Sequence, residues 1–229
     1  MNTTGHLIVL EGTDGSGKAT QTGLLSAALT AAGIPNRCLE FPRYDNDSSV
    51  LVRRYLSGAY GSRPEDVNAY AASVLYTVDR FASWAEDWRE AYRAGMLLLA
   101  DRYTTSNAVH QASKLPEEER PAFFEWLADL EYRKVGLPEP DLVLYLDMPV
   151  QLSGALVQSR AAGAETDIHE KNAEYLRQCR ICGRQAAAYY GWQVVDCTDG
   201  AGKLRAPETI HREILARIDG AGLRKGKEL

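Results

Sequence analysis

The chain has 229 residues, 45% hydrophobic and 25% charged, with a formal net charge of −5. That balance fits one good-sized globular α/β domain with a sizeable core. The acidic sum argues against a non-specific nucleic-acid binder, which needs a basic surface, and no stretch approaches the ~20 apolar residues of a membrane span. No secretory pattern opens the chain, because a glutamate and a glycine loop follow the first short apolar run. Of the four cysteines, Cys179 and Cys182 form a lone C-x-x-C, without a second pair or a histidine at zinc-finger spacing. Reduced thiols in a cytoplasmic setting are the expectation.

Taken in chain order, Leu7-Ile8-Val9-Leu10 predicts a short buried strand. Glu11-Gly12-Thr13-Asp14-Gly15-Ser16-Gly17-Lys18 follows it, and an apolar-periodic helix runs from about Thr20 to Ala32. Strand, glycine loop and helix are the context that makes a G-x-x-x-x-G-K match meaningful. Glycines let the backbone curl so that successive N–H groups face one concavity, and the helix adds its own unpaired N–H groups and positive dipole end. A polyphosphate suits that concavity, with Lys18 placed to reach its distal phosphates. The motif asks for a hydroxyl directly after the lysine to hold Mg²⁺. Here that place is Ala19, with Thr20 one step later.

A second strand is predicted over Arg37–Phe41, cut off by Pro42. Arg43 then stands just past a strand's carboxyl end, where open α/β sheets bind ligands. A short helix is expected from Ser49 to Leu56. From Glu65 to Arg93 the pattern is helical, with Val67, Tyr70, Ala71, Val74, Leu75, Val78, Phe81, Ala82 and Ala85 recurring at helical spacing. Tyr76 and Arg80 lie one turn apart on that helix, so a ring for stacking and a cation for phosphate share a face. Read alone, the pair better fits a core tyrosine beside a solvated arginine.

Met96–Ala100 is a continuous apolar run, as a central parallel strand requires. It delivers Asp101 and Arg102 at its carboxyl end. Asp101 is suited to orienting Mg²⁺ or accepting a proton, and Arg102 to bidentate phosphate binding. Thr104 to Lys114 is a polar helical stretch. It carries Asn107 and Gln111 one turn apart, and their amides suit a base edge. His110 between them is expected to line a site or to be structural. Glu117–Lys134 predicts a helix, Asp141–Asp147 a buried strand, and Pro149–Ser159 a helix leading to Arg160. Ala161–Asp167 has the small residues of a lid. Ile168–Ala188 is helical, with Tyr175, Leu176 and Ile181 on its apolar side. Trp192–Cys197 is a last strand and Ala206–Leu223 a last helix. Five strands alternating with helices indicate a parallel sheet with right-handed crossovers, in one domain over residues 1–229.

These segments together resemble the thymidylate kinases, a family of P-loop nucleoside monophosphate kinases. The likeness runs from about residue 6 to about residue 218. It rests on the phosphate loop with its internal Asp14, on Phe41-Pro42-Arg43, and on Leu75-Tyr76-Thr77-Val78-Asp79-Arg80. Asp101-Arg102-Tyr103 with Ser106-Asn107 and Pro140–Asp147 complete it. The resemblance implies an α/β P-loop NTPase three-layer sandwich: a five-stranded parallel sheet, helices on both faces and a short lid at about 159–170. It also implies transfer of a γ-phosphoryl group from ATP, with Mg²⁺, to dTMP, in a homodimer.

By that analogy Gly12, Thr13, Asp14, Gly15, Ser16, Gly17, Lys18, Ala19 and Thr20 cradle the donor phosphates. Asp14 lies near the acceptor sugar and phosphate, while Arg43, Arg80 and Arg102 hold the acceptor phosphate. Tyr76 stacks on thymine, and Asn107 with Gln111 reads its edge. Lys18, Asp101, Arg102 and the lid's Arg160 serve the transfer, and Thr20 and Asp101 serve the metal. Three positions depart from the family pattern: Ala19; a lid with Arg160 but without a run of further arginines; and His110, where an aromatic often excludes a ribose hydroxyl. A kinase of another nucleotide or deoxynucleoside on this scaffold, or a weakly catalytic nucleotide-binding protein, is the alternative.

Overall fold

A computed structural model describes residues 4–160 and 173–223. Its core is a five-stranded, wholly parallel sheet. The strands are β1 (His6–Glu11), β2 (Asn36–Glu40), β3 (Leu97–Asp101), β4 (Leu142–Asp147) and β5 (Gln193–Asp196), in the spatial order β2-β3-β1-β4-β5. The helices are α1 (Lys18–Ala31), α2 (Val50–Leu56), α3 (Ala69–Ser83), α4 (Arg89–Arg93), α5 (Thr105–His110), α6 (Arg120–Ala128), α7 (Val150–Arg160), α8 (Ala173–Tyr190) and α9 (Pro207–Gly220). The chain leaves β1 for one side of the sheet and later crosses to the other, so β1 lies at the switch point where such sheets take ligands.

Side-chain alternation along the strands explains the layers. Ile8, Leu10, Leu97, Leu99, Leu144 and Leu146 face Leu25 and Leu29 of α1 and Ile210, Ile214 and Ile218 of α9. Leu7, Val9, Leu98, Ala100 and Val143 face the other way, onto Trp88, Phe41 and Tyr103. Strands buried on both faces lose the polar alternation of a half-exposed sheet and show as unbroken apolar runs. The helix α8 lies close on β4 because Gly183 has no side chain. A β-carbon there would sit 2.3 Å from the Tyr145 hydroxyl, which donates to the Arg180 carbonyl at 3.3 Å.

Among the described residues the predicted strands and helices are present, but the predicted Glu117–Lys134 helix is α6 between a 3₁₀ turn at Glu117–Glu119 and a π-helical turn at Asp129–Lys134. Residues 168–172 of the predicted Ile168–Ala188 helix lie outside the described residues. The stretch Glu65–Arg93 is not one helix. Asn68 accepts from the Ala71 amide at 2.8 Å and so starts α3 at Ala69, and a π-helical turn over Trp84–Trp88 separates α3 from α4. Its apolar periodicity is real, but Tyr70, Val74, Val78 and Phe81 are exposed, forming an uncovered stripe along α3. Ile181 also faces outward on α8, while Tyr175 and Leu176 are buried. Cys179, Cys182 and Cys197 are buried free thiols, and burial pushes each up to about 12. Among the described residues no helix is long and apolar enough to cross a membrane. The expected lid, 159–170, lies outside the described residues except for the end of α7.

Candidate active site

The loop after β1 is shaped by glycines. Gly12, Gly15 and Gly17 have φ of 154°, 76° and 91°, values that residues with a β-carbon avoid. A β-carbon on Gly12 would lie 2.6 Å from the Ser16 Oγ and 2.8 Å from the Leu146 carbonyl. The helix α1 starts at Lys18 with no side-chain cap and no acidic residue in its first turn, so its positive end is left for an anion. The Lys18 ammonium donates to the carbonyls of Gly12, at 2.9 Å, and Thr13, at 3.0 Å. Burial and then Arg102 lower its pKa, against the pull of Asp14, Asp101 and Glu11.

Two clefts open at the carboxyl edge of the sheet. The mouth of the phosphate loop is lined by Asp14, Gly15, Gly17, Lys18 and Ala19, with Glu40, Phe41, Tyr44, Asp101 and Arg102 opposite. The second cleft is walled by Tyr76 and Arg80 from α3 and by Ser106, Asn107, His110 and Gln111 along α5 and the residue after it. Asp14, Phe41, Tyr44 and Arg102 belong to both. The clefts therefore meet end to end, with a carboxylate and a guanidinium at the junction.

The backbone of Arg102 is left-handed, φ 69°, an uncommon conformation for a residue with a side chain and a mark of functional sites. Its guanidinium pairs with Asp14, lies 3.8 Å from a Glu11 oxygen and 3.1 Å from His110 Nε2. Burial opposes its charge, but the carboxylates of Asp14, Glu11 and Asp101 outweigh that and hold it protonated. In the second cleft Asn107 and Gln111 are almost fully buried. Asn107 donates to the Ser73 carbonyl at 3.3 Å, and the Gln111 amide oxygen has no partner among the described residues. Tyr76 meets Tyr55 edge-on at 6.3 Å.

Two sequence expectations change here. Arg43 lines neither cleft: its guanidinium donates to Ser48 at 2.8 Å and to Glu86 at 3.2 Å. What holds it is Asp79, buried on α3, which accepts from the Arg43 amide at 2.9 Å and fixes the loop that brings Phe41, Pro42 and Tyr44 into the clefts. Arg80 does line the second cleft, but it is 1% exposed and paired with the fully buried Glu131. A neutralised guanidinium offers directed hydrogen bonds more than net charge. The guanidinium at the junction of the two clefts is that of Arg102.

For the metal, Ala19 lines the mouth where a hydroxyl is usual, and half-buried Thr20 is not among the lining residues. Asp101 is. Mg²⁺ is commonly held by one or two carboxylates together with substrate phosphates, so the residues present fit it through Asp101 and not through Thr20. The side chain of Arg160 lies outside the described residues.

Two carboxylates escaped the sequence reading. Glu11 accepts from the Gly12 amide and from the hydroxyls of Thr105 and Ser106 at 2.7–2.8 Å, tying the phosphate loop to α5. A charge at the end of a buried apolar run was the available signal. Glu131 had none, since its partner is 51 residues away in sequence.

The family model for thymidylate kinase matches residues 10–213. The chain belongs to the thymidylate kinase family. A thymidylate kinase of Mycobacterium tuberculosis is 32% identical over 207 residues, covering 87% of this chain and 95% of its own. The human thymidylate kinase is 28% identical over 212 residues, covering 92% and 88%. The solved structure of the Candida albicans thymidylate kinase superposes with a TM-score of 0.70 at 20% identity, over 96% of this chain and 93% of that one, which shows a common fold. A kinase of this family is a phosphotransferase, and this chain is an enzyme of that class.

Proposed function

We propose that this chain transfers the γ-phosphoryl group of ATP to dTMP, giving ADP and dTDP. The observation that carries it is the common wall of the two clefts, Asp14, Phe41, Tyr44 and Arg102. An oxygen of the dTMP phosphate attacks the γ-phosphorus, and the bond from that phosphorus to the β-bridging oxygen breaks. Such a reaction needs in-line positioning and charge neutralisation more than covalent help.

The loop amides and Lys18 hold the donor phosphates. Arg102 grips the acceptor phosphate at the junction, oriented by Asp14. Tyr76 stacks on thymine, and Asn107 and Gln111 present amides to its edge, with Arg80 beside them. Arg43 braces the loop from outside. Arg160, at the end of α7, is assigned to the transferring group. Asp101 would hold Mg²⁺, which would supply charge neutralisation. A single domain, a cytoplasmic setting with reduced thiols, and a homodimer that buries the α3 stripe complete the reading.

The test is a panel of acceptors, dTMP, dUMP, dCMP, dGMP and thymidine, with ATP and Mg²⁺, followed by ADP release. The highest kcat/KM is expected for dTMP. Preference for another acceptor, or no transfer to any, would overturn the assignment.

A further inference from the structure

We propose that His110 is a positioning residue for Arg102. Its neutral imidazole, with the proton on Nδ1, accepts a guanidinium hydrogen on Nε2 and sets the plane of the arginine at the junction of the clefts. This deepens the kinase reading and rests on it.

Arg102 Nη1 and His110 Nε2 are 3.1 Å apart. A guanidinium has five N–H donors and no acceptor, so the nitrogen facing it must present a lone pair. With Nε2 accepting, the ring hydrogen is on Nδ1 and the ring is uncharged. The arginine cannot exchange roles, because Asp14, Glu11 and Asp101 keep it protonated.

The backbone of His110, which carries the ring, is held by its surroundings. Its own carbonyl accepts from the hydroxyls of Tyr175, on α8, and Ser113, each at 2.8 Å. The Tyr175 ring lies 6.3 Å from the imidazole, and His110 is 5% exposed. Among the described residues, the charged and titratable groups around it include Arg102 just after β3, Asp14 of the phosphate loop, Glu11 at the end of β1 beyond Arg102, Tyr76 and Arg80 from α3, and Tyr175 and Cys179 from α8.

The arginine has few other supports on that side. Its left-handed backbone aims the side chain, Asp14 holds one end of the fork, and His110 meets Nη1. Protonation of the imidazole would put an N–H against an N–H and a second positive charge against the first. The hydrogen bond is then lost, and Arg102 keeps Asp14 on Nη2 and only the longer 3.8 Å approach of Glu11 to Nη1. Acceptor use should fall as the ring takes up a proton, while the donor cleft, of which His110 is not a wall, is little affected.

The first readout needs no turnover. Long-range ¹H–¹⁵N correlation on the full chain at pH 8, with the His110 signals assigned by their loss in H110Q, should show a neutral ring protonated on Nδ1. A ring protonated on Nε2 would overturn the proposal.

The second readout is kcat/KM for dTMP from pH 5 to 9, at saturating ATP and Mg²⁺, for wild type and H110Q. Glutamine offers an amide oxygen that accepts at every pH, and titration of the dTMP phosphate cancels in the ratio of the two. That ratio should be level at high pH and fall toward tenfold per pH unit once the imidazole protonates. A ratio constant across the range, or an inactive H110Q, would overturn it. H110F keeps a ring but no acceptor, and should lose roughly tenfold in kcat/KM for dTMP at pH 8 with an unchanged KM for ATP. Equality with wild type would count against the proposal. If wild type transfers nothing to dTMP, the kinase reading fails, while the tautomer still decides the Arg102–His110 geometry.

Discussion

Removing the Glu131 carboxylate should destabilise the fold far more than removing any surface carboxylate. Glu131 is 0% exposed and Arg80 1%. Arg80 Nη2 pairs with Oε1 of Glu131, which also accepts from the Thr77 hydroxyl at 2.7 Å, and Arg80 Nε lies 3.4 Å from Oε2. In Glu131→Ala the guanidinium keeps, among the described residues, only the Tyr103 carbonyl, 3.5 Å away. A buried charge stripped of its partner costs about 3–5 kcal/mol. For a chain of this length each kcal/mol moves Tm by about 2–4 °C, so a fall of roughly 6–20 °C is expected.

Differential scanning calorimetry measures it directly. Glu174→Ala is the control: that carboxylate is exposed, pairs with Arg177 in the next turn, and should leave Tm nearly unmoved. Adding Arg80→Met to Glu131→Ala should recover much of the loss, because the stranded charge is then gone. If Glu131→Ala melts within a degree or two of wild type, the pair is not the buried, mutually dependent contact described above.

Gly12→Ala should abolish turnover, since its β-carbon collides with Ser16 and the Leu146 carbonyl; near-normal kcat would show that the loop has room to spare. Val78→Asp places a charge in the exposed apolar stripe of α3 and should turn a dimer into a monomer by sedimentation velocity, with no such shift for a polar change at exposed Glu86. Lys114, whose ammonium donates to Tyr55 and the Val67 carbonyl, has its pKa pushed down by burial from the usual 10.5 to about 8. Between those values the unfolded chain binds more protons, so stability rises with pH there, and its penalty is full below pH 8. Urea unfolding should therefore show wild type gaining on Lys114→Met by about 3 kcal/mol from pH 8 to 10.5; parallel curves would refute the burial argument.

What was legible in the sequence was local. The phosphate loop announces itself because its glycines, lysine, strand and helix are contiguous, and Asp101-Arg102 because a buried apolar run must end at the sheet's edge. Contacts between distant segments were not legible. Nothing in the periodicity of α3 says that Arg80 is answered by Glu131, or that Asp79 holds the Arg43 amide and the Arg43 side chain points to Glu86. Periodicity also reports that a face is apolar without saying what covers it, so Val74, Val78 and Phe81 match the core pattern and yet lie on the surface. Asn68 illustrates the same limit on a smaller scale: its cap divides a stretch that hydrophobic spacing alone would run together.

The central claim is that two phosphates meet at Arg102 and Asp14. Phosphorus NMR of the enzyme with ATP, Mg²⁺ and dTMP tests it most directly. ADP and dTDP should grow in equal amounts with no free phosphate, and Arg102→Met should suppress both together. Release of free phosphate in place of dTDP, or undiminished dTDP formation in Arg102→Met, would contradict it.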